Sequence, residues 1–130
     1  MGNSLMDAVL LNGLTLAYIG DAVYEIYIRQ YALNLNLTKV NDLHKKAIQY
    51  TNASFQAKAI HYLIDNHFLE EDEIKIYKRG RNSHVHTARK NVDLSEYLDA
   101  TGFEALIGYL YLNDQKNRLE KIIEISIDLD

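Results

Sequence analysis

Apolar residues recur three and four positions apart along almost the whole chain, and no proline interrupts them. That pairing constrains the fold more than any other feature. Spacing of three and four sets side chains on one face of an α-helix. A chain of 130 residues without a single Pro also lacks the residue that most reliably breaks one. Only 6 Gly are present, few for a protein built from tight β-turns. An all-α fold is therefore expected. The length suits one domain spanning residues 1–130, and 48% hydrophobic residues suffice for a core. The 25% charged residues are ordinary for a folded chain.

The periodicity predicts about six or seven helices and no strand. The first runs from Asn12, a suitable N-cap, to Leu33, with Leu16, Ile19, Val23, Ile26 and Tyr27 inward. A second covers Val40 to Tyr50, capped by Asn41 or Asp42, with Leu43, Ala47 and Ile48 inward. Asn52 or Ser54 restarts a helix to Asn66, with Phe55, Ala59, Tyr62 and Leu63 as its stripe. The next opens on Glu70-Glu71-Asp72-Glu73 and closes on Lys78-Arg79-Gly80-Arg81, acids and cations each at the end of the helix dipole that favours them. Residues 81–93 carry no stripe and read as a loop, before helices over Leu94–Leu112 and Asp114–Leu129.

Several function classes drop out. Without Cys there is no disulfide scaffold, no zinc-thiolate site and no thiol nucleophile. The apolar runs are too short for a membrane span, and Met1–Leu11 has no basic leader region, so a cytoplasmic protein that does not engage a membrane is expected. The net charge of −4 argues against a surface coated with cations.

Two apolar helical stretches each hold one Gly and one carboxylate: Ile19-Gly20-Asp21-Ala22-Val23 and Phe103-Glu104-Ala105-Leu106-Ile107-Gly108-Tyr109. A glycine inside a helix costs about 1 kcal/mol against Ala, and a buried acid costs more unless paired. Close helix packing with ordinary ion pairs would account for both. Alternatively the two glycines mark one crossing at which Asp21 and Glu104 converge as oxygen ligands for Mg²⁺, which needs only one or two carboxylates.

Those stretches carry a family likeness. Tyr18-Ile19-Gly20-Asp21-Ala22 followed by Glu104-Ala105-Leu106-Ile107-Gly108 resembles ribonuclease III. With Asn41-Asp42-Leu43-His44-Lys45-Lys46 and Lys78-Arg79-Gly80-Arg81-Asn82, nearly the whole chain is similar to the shortened mini-ribonuclease III branch, which is a catalytic domain without a double-stranded-RNA-binding domain. The resemblance implies an all-α homodimer and an endoribonuclease dependent on Mg²⁺, with Mn²⁺ as a substitute. It implies Asp21 and Glu104 as the catalytic, metal-binding pair. It also implies structured, double-stranded RNA as substrate, cut with a stagger to leave 5′-phosphates and 3′-hydroxyls, and a role in maturing the 23S precursor of large-subunit ribosomal RNA. Longer members of the family have two further carboxylates, where this chain has Ala17 and Thr101. Glu25 shares a face with Asp21, and a surface ion pair suits it better than contact with a metal-bound water.

The charge is unevenly spread. Between Lys75 and Lys90 lie Lys75, Lys78, Arg79, Arg81, Arg89 and Lys90 with no acid among them. Such a window either forms a solvated loop tip or tracks phosphates without reading sequence. Lys78, Arg79, Arg81, Arg89 and Lys90, with Lys45 and Lys46, are the candidate RNA-binding cations. The same window contains two Arg-x4-His spacings, Arg79 to His84 and Arg81 to His86, which resemble metal-independent HEPN ribonucleases but arise readily by chance. His44, His61 and His67 lack metal-ligand spacing. The 10 Tyr are assigned to core or interface packing. A non-catalytic RNA-binding or assembly module of the same fold is the competing reading.

Overall fold

The computed structural model describes residues 7–83 and 93–130. After a 3-10 turn at Ala8–Leu10 come α1 (Gly13–Asn34), α2 (Val40–Thr51), α3 (Ala53–Asp65), α4 (Glu71–Arg81), α5 (Leu94–Leu112) and α6 (Lys116–Ile127). No strand forms among the described residues. The expected all-α fold is thus observed, and the helix limits fall within two residues of those read from the periodicity.

Local chemistry explains most boundaries. The Asn12 side chain accepts from the Thr15 amide at 2.8 Å, and Asn52 accepts from the Phe55 amide at 2.8 Å, so each relieves an orphan donor of its helix. Glu70 and Glu73 form a reciprocal capping box at the start of α4. At α2 the expectation fails, because the N-cap is Lys39, without a side-chain bond, and Asp42 lies in the first turn.

Helix α5 forms the centre, packed on by α1, α3 and α4. Its residues from Asp99 to Leu110 are buried except for the partly exposed Glu104, as expected of a helix enclosed on all sides. Phe103, Leu106, Ile107 and Leu110 meet Leu16, Tyr24 and Ile28 of α1, and Ile60 and Leu63 of α3, in one core. Three residues assigned inward face solvent instead: Ile26, Ile48 and Tyr62. On α1 the core face follows Leu16, Gly20, Val23, Tyr24 and Ile28, and Ile26 lies half a turn away from it. Ile48 and Tyr62 stray likewise because α2 and α3 are covered on one side only. One buried ion pair ties α4 to α6: Arg118 donates twice to Glu73 (2.8 and 2.7 Å) and once to the Phe68 carbonyl (2.7 Å).

Candidate active site

The two unusual glycines meet. A Cβ on Gly20 would lie 2.8 Å from the Gly108 backbone nitrogen and inside the Glu104 carbonyl oxygen. A Cβ on Gly108 would lie 2.8 Å from Ile19 Cγ2 and overlap the Leu16 carbonyl oxygen. Helices α1 and α5 therefore touch backbone to backbone, a separation that only a missing side chain permits. Because Asp21 follows Gly20 and Glu104 lies one turn before Gly108, both carboxyls emerge at this crossing.

Asp21 is exposed and Glu104 only partly so. Burial, then the negative charge of Asp21, then a hydrogen bond with Asp21 push the Glu104 pKa up to about 8. In the metal-free protein Glu104 thus carries a proton near neutrality, shared toward Asp21. Two acids forced together at a solvent-facing edge are poised for a cation. The donor set is all oxygen, which fits magnesium, an ion that retains waters and takes one or two carboxylates. Among the described residues no cluster of three or more potential ligands forms. Ala17 and Thr101 explain why: both are buried, and the Thr101 hydroxyl is occupied with the Tyr97 carbonyl at 3.0 Å.

Glu25 pairs with Arg29 at 2.8 Å on the surface, as expected. Tyr24 is core: its ring packs edge-on against Phe103 and its hydroxyl donates to the Tyr50 carbonyl at 2.9 Å. The structure narrows the set of candidate RNA-binding cations. Arg79 donates to the carbonyls of Val9 and Leu11, fastening α4 to the 3-10 turn. Arg81 donates to Asp99 at 2.7 Å. Both guanidiniums are therefore at least partly engaged inside the fold, whereas Lys45 and Lys78 are exposed. Lys46 reaches Gln49 at 3.1 Å and lies over the Tyr50 ring. Arg89, Lys90, His84 and His86 lie outside the described residues.

Two features escaped the sequence reading. Asp99 is buried and accepts from Tyr77, Arg81 and His61, each at 2.7 Å. Burial pushes its pKa up, but the three hydrogen bonds prevail and hold it below the usual carboxylate range. An acid within the apolar run Tyr97–Gly102 was the available signal. The second is Gln56 of α3, buried next to Glu104, where the amide opposes the rise in the Glu104 pKa. Nothing in the local sequence distinguishes it.

Residues 14–115 match the Ribonuclease III domain family. Mini-ribonuclease 3 of Enterococcus faecalis is 50% identical over 123 residues, covering 95% of this chain and 93% of the relative. The Clostridium tetani protein of the same name is 49% identical, covering 95% and 81%. A crystal structure of a Fusobacterium nucleatum protein, 34% identical, superimposes with a TM-score of 0.81 over 92% of this chain and 93% of that one. Both the matched span and the paired strings around Asp21 and Glu104 lead to one conclusion: the chain belongs to the ribonuclease III family of endoribonucleases.

Proposed function

We propose that this protein is a Mg²⁺-dependent endoribonuclease that cleaves double-stranded regions of precursor ribosomal RNA, the large-subunit 23S precursor in particular, in the cytoplasm. The observation that carries the reading is the convergence of Asp21 and Glu104 at the glycine crossing. Asp21 presents oxygens toward solvent and substrate, and Glu104 supplies a second oxygen from behind. When bound, Mg²⁺ supplies Lewis acidity at the scissile phosphate and to the attacking water. Mn²⁺ is the expected substitute. The rigid α1–α5 contact fixes the spacing of the two carboxylates without reliance on a loop. Lys45, Lys46 and Lys78, with Arg89 and Lys90 of the basic window, would lie against flanking phosphates, with Arg79 and Arg81 in a lesser role. Duplex RNA is recognised mainly by shape, so these contacts need not read bases.

The active form is a homodimer, each subunit cutting one strand. Leu14 and Tyr18 on α1, one turn apart and just ahead of Asp21, support this: Tyr18 is 81% exposed, an expensive position for an aromatic ring in a monomer. A two-fold dimer matches the local two-fold symmetry of a duplex. The test is cleavage of a structured precursor RNA with Mg²⁺, with EDTA, and with Asp21→Asn. Loss of cleavage in EDTA and in the variant is expected. Cleavage that survives both overturns the metal mechanism.

A further inference from the structure

The side-chain nitrogen of Gln56 is buried and makes no hydrogen bond of ordinary length and angle; the one group it interacts with is the Glu104 carboxyl, whose ionised form it favours. Gln56 itself is 2% exposed, in the first turn of α3, the helix that packs on the Glu104 side of the domain through α5. Burying an amide donor without a well-formed hydrogen bond is unfavourable, and an apolar side chain of the same size would fill the space without that penalty. Packing alone therefore does not account for a glutamine here. Its neighbour is the Glu104 carboxyl. An ionised carboxylate has about four lone-pair directions, more than a shared cation can occupy, so it can accept this donor as well.

We propose that Gln56 is a positioning residue for the active site, its amide holding the Glu104 carboxylate in the orientation that shares a divalent cation with Asp21. The role rests on the reading of Asp21 and Glu104 as the metal pair. Groups that orient metal ligands in this way commonly alter metal affinity by roughly 10–100-fold when removed.

The experiment is Mn²⁺ binding to the full chain without RNA, read by electron paramagnetic resonance. Gln56→Met keeps the bulk and removes the donor. Gln56→Asn keeps the amide and shortens its reach. Both should weaken Mn²⁺ binding about 10–100-fold, while circular dichroism and the unfolding midpoint of the Met variant stay at or above wild type. Affinity within twofold of wild type in either folded variant overturns the proposal. So does a weakening matched by loss of helical signal. If neither variant folds, the side-chain amide of Gln56 in the wild type is followed by NMR. Its resonances should shift on Mg²⁺ addition, and not in Glu104→Gln; an unmoved signal in the wild type overturns the assignment. Asp21→Asn separates the two claims. Wild-type Mn²⁺ binding that Asp21→Asn leaves intact defeats the metal pair itself, whereas binding lost there and kept in Gln56→Met defeats only the role of Gln56.

Discussion

Replacing Gly20 with alanine adds a single methyl group, and the fold dictates an unusual response. In an open helix this change stabilises by about 1 kcal/mol, because alanine has the higher helix propensity. Here the new carbon would lie 2.8 Å from the Gly108 nitrogen and inside the Glu104 carbonyl oxygen, against an ordinary contact of 3.4 Å or more. Both obstacles are backbone, so no rotamer change relieves them. The helices must part by something on the order of 1 Å. Overpacking of this kind costs about 1–3 kcal/mol or more, so the clash should exceed the propensity gain. A net loss of about 2 kcal/mol lowers the melting temperature by roughly 6–10 °C in a domain of this size. The same displacement separates Asp21 from Glu104, and a 1 Å misplacement can cost on the order of 100-fold in rate. Thermal unfolding by circular dichroism and initial rates on duplex RNA measure the two effects. Gly108→Ala should behave alike, and the double variant should lose less than the sum, since the first methyl already opens the crossing. A Gly20→Ala protein that melts at or above the wild-type temperature and cleaves normally would refute the close crossing.

Further predictions concern charge. The folded-state Glu104 pKa of about 8 lies above its ordinary 4.5, so the metal-free fold binds an extra proton between those values. Its stability therefore falls as pH rises through that window, by as much as ~1.4 kcal/mol per unit, and denaturant titrations should show Glu104→Gln abolishing the slope. Mg²⁺ must displace that proton, so calorimetry should find apparent affinity rising up to tenfold per pH unit until about pH 8 and levelling beyond. Arg118→Ala leaves the buried Glu73 carboxylate without its partner and should cost about 3–5 kcal/mol in a urea titration. Lys45→Ala, Lys46→Ala and Lys78→Ala should each weaken duplex RNA binding and make its salt dependence shallower by about one unit for each phosphate no longer neutralised. Unchanged slopes would remove those lysines from the interface.

The helices were legible because each signals itself locally, through spacing, the Asn12 and Asn52 caps, and the acids that open α4. The α1–α5 crossing was legible for a different reason. A glycine and an acid in an apolar helix violate local preference twice, and the violation recurs at residues 104–108. What the sequence hid depends on long-range partners. Ile26, Ile48 and Tyr62 follow helical spacing as well as their buried neighbours do, and only the neighbouring helices decide which face is covered. Arg79 and Arg81 looked like members of one solvated basic window. Their directions differ because Arg79 points to the carbonyls preceding α1 and Arg81 to an acid eighteen residues later. Gln56 is an ordinary polar residue until α3 is laid against α5.

Everything proposed for this site depends on Asp21 and Glu104 jointly holding a divalent cation. Anomalous diffraction from crystals soaked in Mn²⁺ locates that cation. One strong peak is expected at the α1–α5 crossing, within about 2.1–2.3 Å of oxygens from both carboxylates, and none in Asp21→Asn crystals. A catalytically active protein whose Mn²⁺ binds elsewhere, with the two carboxyls still sharing a proton, would contradict it.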